Sequence, residues 1–136
     1  MKVKLDNGAR IDAPAHEGDA GFDIYAREEK TIPAHSSTTF DTGVHVAIPR
    51  GYAGFLKSKS GLNVKYDLTG EGVIDSGYTG SICVKLYNNG DTAYEVKKES
   101  KLIQLVILPV ITPELEFVES LEDTERGADG FGSTGI

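Results

Sequence analysis

The segment Gly72-Val73-Ile74-Asp75-Ser76-Gly77-Tyr78-Thr79-Gly80 is the one around which the chain is organised. A short apolar run ends at Asp75, and the Ser-Gly pair that follows marks a tight turn before Tyr78. This pattern predicts a β-hairpin with an acid at its tip. The glycines leave the backbone open to close approach by a flat ligand. An ordinary hairpin with a solvated aspartate is the alternative, and other segments have to decide between the two.

Composition favours a single domain built of strands and turns. The 136 residues are enough for one hydrophobic core. Sixteen of them are glycine, a share well above the usual value of about 7%. Large apolar side chains recur at every second position at Val44, Val46 and Ile48, and again at Ile82, Val84 and Leu86. Such alternation predicts strands with one buried face, so we expect an all-β fold.

The charge and the cysteine content exclude several classes of protein. A net charge of −7 argues against direct binding of nucleic acid or anionic membranes, which depends on clustered Lys and Arg. An anionic ligand would therefore need a locally positive site. Cys83 is the only cysteine, which excludes an intrachain disulfide and nearly excludes a cysteine zinc site. With no apolar segment long enough to cross a bilayer, we expect a cytoplasmic protein.

Three further segments depart from simple alternation. Residues 57–62 mix small hydroxyl side chains with two lysines and a glycine, which suits a loop or the first turn of a short helix. Residues 102–108 are apolar except for Gln104, and this run predicts a strand buried on both faces in which the amide needs a partner. Residues 113–125 match both helical and strand spacing, and we favour a strand.

The C-terminal end has a different composition from the rest of the chain. Residues 126–136 contain four glycines and are predicted to form a flexible arm that follows a core of residues 1–125 within the same domain. The arm also carries one arginine, one phenylalanine and a Ser-Thr pair. Those groups are the parts of a phosphate clasp with a stacking ring.

Five segments taken in order resemble the five motifs of the trimeric dUTPases (deoxyuridine 5'-triphosphate nucleotidohydrolases). They are Asp19-Ala20-Gly21-Phe22-Asp23-Ile24-Tyr25-Ala26, Lys59-Ser60-Gly61-Leu62, the opening segment from Gly72 to Gly80, Leu102-Ile103-Gln104-Leu105-Val106, and Arg126-Gly127 with Gly130-Phe131-Gly132-Ser133-Thr134-Gly135. One such motif is weak evidence, whereas five in order across nearly the whole chain form a specific pattern.

The resemblance implies a jelly-roll-like β-barrel or sandwich, and a homotrimer whose active sites are shared between subunits. It also implies hydrolysis of dUTP to dUMP and pyrophosphate with Mg²⁺, which limits uracil incorporation into DNA and supplies dUMP for thymidylate synthesis. Asp75 would activate the water that attacks the α-phosphorus, and Asp23 would reach the metal through water. The implied substrate-binding residues are Lys59, Ser60, Gly61, Gly72, Val73, Tyr78, Gln104, Arg126, Phe131, Gly132, Ser133 and Thr134.

The chain departs from the family pattern in two places. Ser58-Lys59 replaces the usual proline-arginine pair of the second motif, and a lysine cannot make a bidentate guanidinium contact. Asp129 stands where the family commonly has a small residue, so its carboxylate would repel phosphate unless it points to solvent. Asp19 is expected to cap a turn. The three histidines, His16, His35 and His45, match no motif and are expected to be surface or strand residues.

Two other functions compete with dUTP hydrolysis. A dCTP deaminase-related enzyme would share the fold and the triphosphate site. The segment from Gly72 to Gly80 argues against it, because the resemblance implies that the backbone around Gly72 and Val73 binds the uracil edge. A dUTP-sensing regulatory protein would keep the fold without catalysis, and the presence of Asp75 argues against that. A regulatory protein partner is compatible with an active enzyme.

Overall fold

The structure is a computed structural model that describes residues 1–135, so Ile136, the last residue of the predicted arm, lies outside it. Residues 1–135 form twelve strands and one short helix. In order these are β1 (Lys2–Leu5), β2 (Ile11–Asp12), β3 (Gly21–Tyr25), β4 (Lys30–Ile32), β5 (Ser36–Asp41), β6 (Val44–Ala47), β7 (Tyr52–Ser58), α1 (Ser60–Tyr66), β8 (Leu68–Thr69), β9 (Glu71–Ile74), β10 (Cys83–Asn88), β11 (Tyr94–Val96) and β12 (Lys101–Pro109).

The strands form four sheets around one core. The largest sheet has the order β2-β3-β12-β7-β9, a three-stranded sheet has the order β5-β10-β8, and β1-β6 and β11-β4 are two-stranded. The paired strands are antiparallel throughout these sheets. The all-β prediction is confirmed in its sandwich form, since no sheet closes into a barrel within residues 1–135.

Alternation along the strands explains which faces are buried. In β10, Val84, Leu86 and Asn88 point inward while the residues between them are exposed. Asn88 is the polar member of this face, and its Nδ2 donates to the carbonyl oxygens of Ile32 at 3.1 Å and Thr92 at 2.8 Å. These two bonds remove the cost of burying the amide.

The central strand β12 contains a bulge that changes its alternation. Its register against β3 shifts between Lys101 and Ile103, so that both Leu102 and Ile103 belong to the buried core. Lys101 and Gln104 consequently lie on the other side, facing Asp23. The prediction of burial on both faces was wrong for the end of the strand, because Leu108 is 46% exposed.

The hairpin predicted at Gly72 to Gly80 was also wrong. The strand before the turn, β9, pairs with β7, whereas the strand after it, β10, pairs with β5 and β8. The segment therefore crosses from one sheet to another. A hydrophobic pattern shows that two strands flank a turn, but it does not show which neighbour each strand pairs with.

Beyond β12, residues 110–135 contain turns and bends but no strand. The strand favoured at residues 113–125 is therefore wrong. A strand needs a neighbour for its backbone groups, and the apolar side chains of Leu115, Phe117 and Leu121 are more than 80% exposed. Within residues 1–135, no helix is long and apolar enough to cross a membrane.

Candidate active site

Three strands of the large sheet bring one carboxylate and two ammonium groups together. Asp23 on β3 is only 17% exposed, and its Oδ1 and Oδ2 accept from Lys59 Nζ at 2.5 Å and from Lys101 Nζ at 2.7 Å. Lys59 follows β7 and Lys101 begins β12. We call these three residues, with Ser60 and Gln104, the Asp23 cluster.

Strand register places the amide of Gln104 in the same cluster. Gln104 lies opposite Asp23 on β3 and opposite Lys57 on β7. Its Nε2 donates to the carbonyl oxygen of Ser58 at 3.1 Å, which supplies the partner that the sequence required. The amide is thus held at the end of β7, immediately before Lys59 and Ser60.

Ser60 and Gly61 begin α1 and are both exposed. The prediction of a loop or helical first turn at residues 57–62 is confirmed for the part from Ser60 onward. No atom lies within 4 Å of a Cβ built at Gly61, so its backbone faces open space. A hydroxyl and an open backbone therefore stand beside the two lysines.

The electrostatics of Asp23 favour its ionised form. Burial opposes the charge, but the hydrogen bonds from Lys101 and Lys59 outweigh burial and lower the pKa of Asp23. The bond to Asp23 correspondingly raises the pKa of Lys101. The cluster thus carries one negative and two positive charges, which gives the locally positive site that an anionic ligand needs on a chain of net charge −7.

The second group of predicted residues lies on the turn after β9. Asp75 is exposed, and its carbonyl oxygen accepts from the Tyr78 amide at 3.1 Å, which closes the turn. Tyr78 Oη donates to the Ser81 carbonyl oxygen at 2.9 Å and folds its ring over Gly80. A Cβ at position 80 would stand 2.6 Å from Tyr78 Cζ, so a larger residue there would displace the Tyr78 ring.

On the strand itself, Gly72 is half-buried and Val73 is 60% exposed. Because β9 lies at the edge of the large sheet, one side of its backbone has no strand neighbour within the described chain. The edge of β9 and the Tyr78 ring together offer main-chain groups and an aromatic face.

The structure does not bring Asp75 and the Asp23 cluster together within one chain. In the antiparallel β7–β9 pair, Gly54 lies opposite Ile74 and Lys57 lies opposite Glu71. Asp75 therefore follows one end of this ladder, while Lys59 follows the other. The four steps along β7 from Gly54 to Ser58 span about 13 Å at about 3.3 Å per residue.

The arm residues are also apart from both groups. Between Thr124 and Gly135 the hydrogen bonds are local, and Arg126 Nε donates to the Asp129 carbonyl oxygen at 2.7 Å. The Phe131 side chain is fully exposed. The positions of Gly132, Ser133 and Thr134 are exposed as well.

Two polar contacts were not predicted from the sequence. Lys101 reaches Asp23 only because of the bulge in β12, which alternation does not reveal. His45 on β6 contacts the carbonyl oxygen of Thr79, beside the Asp75 turn, at 2.8 Å. The alternation of Val44 and Val46 does place His45 on the outer face, and the expectation that it is a strand residue is confirmed.

The expected turn cap at Asp19 is confirmed, since its Oδ2 accepts from the His16 amide at 2.9 Å. His16 and His35 are exposed, as expected for surface residues.

The donor set suits a magnesium ion bound mainly by phosphate and water. Within residues 1–135, no three His, Cys, Asp or Glu side chains group as a metal cage. Mg²⁺ commonly keeps several waters and binds one or two carboxylates together with substrate phosphates. The single ionised carboxylate of Asp23, beside hydroxyl and amide groups, fits that mode.

The fold and these groups define a class of protein: an all-β sandwich whose sheet edges carry cations, hydroxyls and a separate acidic turn suited to a phosphorylated ligand. The family model described as dUTPase matches residues 7–135. The chain belongs to the dUTPase family, and this confirms both the resemblance of the five segments and the predicted class of enzyme.

Known relatives match over nearly the full chain. The deoxyuridine 5'-triphosphate nucleotidohydrolase of Clostridium acetobutylicum is 39% identical, over 100% of this chain and 97% of the relative. The Staphylococcus bacteriophage 80alpha dUTPase with dUpNHpp is 34% identical at a TM-score of 0.92, over 99% of this chain and 98% of that chain.

A second phage structure bears on the metal. A mutant dUTPase from phage phi11 of S. aureus, whose structure describes the coordination of a structural Mg(II) ion, is 32% identical at a TM-score of 0.82. It covers 90% of this chain, and 98% of its own length is matched.

Proposed function

We propose that this chain hydrolyses dUTP to dUMP and pyrophosphate, with Asp75 activating the attacking water at the α-phosphorus. The observation that supports this most directly is the exposed carboxylate of Asp75 on a turn closed by Tyr78, at the end of the exposed edge strand β9. General-base assistance of this kind contributes about 10² to 10⁴ in rate.

The edge of β9 and Tyr78 would select the nucleoside. The outward-facing backbone groups of the stretch at Gly72 and Val73 would pair with the uracil edge, because β9 has no strand neighbour on its outer side within the described residues. Tyr78 is pinned through its hydroxyl to the Ser81 carbonyl oxygen, so its ring keeps a fixed position against the sugar. A ribose 2'-hydroxyl would meet this ring, which favours deoxyribose.

The Asp23 cluster would receive the triphosphate. Ser60 and Gln104 offer a hydroxyl and an amide, and Lys59 offers a positive charge that is at present paired with Asp23. Mg²⁺, when bound, would supply positive charge to the phosphate oxygens, and Asp23 would hold it through water. Preorganised donors of this kind lower the barrier because charge develops on the phosphoryl oxygens in the transition state.

Complete sites would form between subunits of a homotrimer. The β7–β9 ladder separates Asp75 from the Asp23 cluster, so one chain cannot place both on a single α-phosphate. A neighbouring subunit can supply the missing half. The exposed apolar side chains of residues 110–121 suit packing on another subunit.

The arm of residues 126–136 would then cover the nucleotide. Phe131 would lie over the base, and the phosphates would be held by Arg126, Ser133 and Thr134.

The two alternatives make different demands on the site. A dCTP deaminase-related enzyme does not require a β9 edge that pairs with uracil. A dUTP-sensing protein does not require Asp75 as a catalytic base. A regulatory partner is compatible with activity, since phage dUTPases, among them that of phage 80alpha, control transfer of virulence genes.

A nucleotide panel tests the proposal. Turnover of dUTP, dTTP, dCTP and UTP should be compared with and without Mg²⁺, and selective, Mg²⁺-dependent consumption of dUTP is expected. Release of ammonia from dCTP would favour the deaminase, and tight dUTP binding without turnover would favour the sensor.

Hydrolysis in ¹⁸O-water tests the site of attack. The label should appear in dUMP, and label in pyrophosphate would reject attack at the α-phosphorus.

A further inference from the structure

His45 contacts the far side of the Asp75 turn through one ring nitrogen and is itself held by Asp6 through the other. Nδ1 lies 2.8 Å from the Thr79 carbonyl oxygen, and Nε2 lies 3.2 Å from Asp6 Oδ2. The side chain is 18% exposed, so protein surrounds most of the ring. Thr79 directly follows Tyr78, which places this contact one residue from the sugar-facing ring.

Both partners of the ring are acceptors only. A carbonyl oxygen and an ionised carboxylate each need a hydrogen donor, and an imidazole carries hydrogen on both nitrogens only in its charged form. The neutral ring has one N–H and can satisfy one of the two partners. The other ring nitrogen then presents a lone pair to an oxygen, which is unfavourable.

The surrounding charges support the charged ring. Asp6 also forms ion pairs with Lys4 at 3.8 Å and with Arg27 at 3.7 Å. Arg27 forms a second ion pair with Asp41 at 3.0 Å. The hydrogen bonds to the Thr79 carbonyl oxygen and to Asp6 raise the pKa of His45, and they outweigh the opposing effects of burial and of Lys4. The bond from His45 lowers the pKa of Asp6.

The turn has a second anchor that does not titrate in the neutral range. Ser81 Oγ donates to Asp41 Oδ1 and accepts from the Gly43 amide at 3.0 Å. Ser81 thus fixes the end of the segment whatever the state of His45, whereas His45 holds its middle. Loss of the His45 contact would loosen the backbone at Thr79, between Tyr78 and Ser81, without unfolding the turn.

We propose that His45 is a positioning residue for the Asp75–Tyr78 turn, and that its doubly protonated ring holds the turn in its nucleotide-binding position. This inference deepens the proposed function and depends on it for its kinetic consequence. The residue touches no reacting atom, so its loss should act on KM for dUTP more than on kcat.

The direction of the pH effect follows from the two acceptors. The pair contributes fully above the ordinary pKa of Asp6, 3.8, and below the ordinary pKa of His45, 6.5. The contribution is lost as pH rises through the raised pKa of His45. KM should therefore rise by about fivefold above that value, the effect of losing about one hydrogen bond.

Two variants separate this positioning from a merely structural role. In His45→Asn, the side-chain amide can stand where Nδ1 stands and donate to Thr79 without titrating, so KM should stay low and independent of pH. In Asp6→Asn, the new amide can donate to Nε2 of the neutral ring, which leaves Nδ1–H for Thr79 and again removes the pH dependence. His35→Gln, at an exposed pair with Asp91, should keep the wild-type profile.

The experiment combines NMR with steady-state kinetics on the full chain. The backbone amides of residues 76–80 should titrate with the same midpoint as the His45 ring, and this titration should vanish in His45→Asn. The proposal would be overturned if the turn amides show no change at the midpoint of the His45 titration. It would also be overturned if KM still rises with pH in both variants. Because the NMR titration needs no turnover, a failure of dUTP hydrolysis would leave this test intact.

Discussion

At the scale of single residues, Asp75 and Asp23 differ in how many contacts their carboxylates make with the rest of the chain. Asp23 is held by two lysines and contributes to the local fold, whereas Asp75 is exposed on a turn that the backbone closes. A carboxylate that contributes little to packing can be neutralised at little cost in stability. The two acids should therefore respond differently to substitution.

We expect Asp75→Asn to reduce dUTP turnover by about 10² to 10⁴, because the amide cannot accept the proton of the attacking water. The melting temperature should be nearly unchanged. Steady-state kinetics and thermal unfolding of the same preparation measure both effects. Asp91→Asn is a matched control, since the Asp91 side chain is 95% exposed on a different loop. Turnover at a tenth of wild type or more in Asp75→Asn would contradict the assignment.

At the scale of elements, the packing of β7 against its neighbours limits which side chains it can carry. A Cβ at Gly54 would lie 2.8 Å from both Ile48 Cδ1 and Leu105 Cδ1. Both atoms belong to core side chains with little room to move. Strand β7, which leads to Lys59 and pairs with β9, is therefore tightly packed at its centre.

Gly54→Ala should destabilise the chain by about 1–3 kcal/mol, the usual cost of overpacking a core. Chemical denaturation measures the change. Gly61→Ala provides the control for stability, because a Cβ there meets no atom within 4 Å. Equal stability of the two variants would show that the core around Ile48 relaxes more easily than this packing implies.

The arm is the second element whose role can be tested alone. Ending the chain after residue 125 should lower dUTP turnover strongly and leave the melting temperature and the oligomer unchanged, since the hydrogen bonds of residues 126–135 are local. Phe131→Ala in the full chain should raise KM through loss of the ring alone. Full activity in the truncated chain would reject the arm as part of the site.

Local patterns predicted the strands well and their pairing poorly. Alternation identified β6 and β10, and the mixture of small and charged residues identified the start of α1. The bulge at Leu102 was not predicted. In a run of apolar residues, the sequence does not show where the alternation between the two faces of the strand is interrupted. The apparent hairpin and the apparent strand at residues 113–125 failed for a related reason: a strand is defined by its neighbour, and the neighbour is remote in sequence.

The candidate site was predictable as a set of residues but not as a geometry. The five segments gave Asp23, Lys59, Gln104 and Asp75 by resemblance to a family. Only the register of β3, β12 and β7 shows that the first three meet, and only the register of β7 and β9 shows that Asp75 does not. His45 could not be found from sequence, because its partner Thr79 lies on a turn whose path depends on the crossing between sheets.

At the scale of the whole molecule, the proposed shared sites can be tested by mixing defective subunits. Asp75→Asn supplies an intact Asp23 cluster, and Ser60→Ala with Gln104→Ala supplies an intact Asp75 turn. Each homotrimer alone should be nearly inactive, whereas mixed trimers should regain dUTP turnover at sites that combine two intact halves. Native mass spectrometry verifies the mixing, and mixed trimers without activity would refute the shared site.

Because Asp75 and the Asp23 cluster are separated along β7 and β9, the activity of the protein should also depend on its concentration. An enzyme whose site lies within one chain works equally well at any dilution. If each site needs two chains, the activity per subunit becomes a measure of how much of the protein is assembled, and it falls when the subunits dissociate. A cell that makes little of this chain would then lose dUTP hydrolysis more steeply than it loses the protein itself.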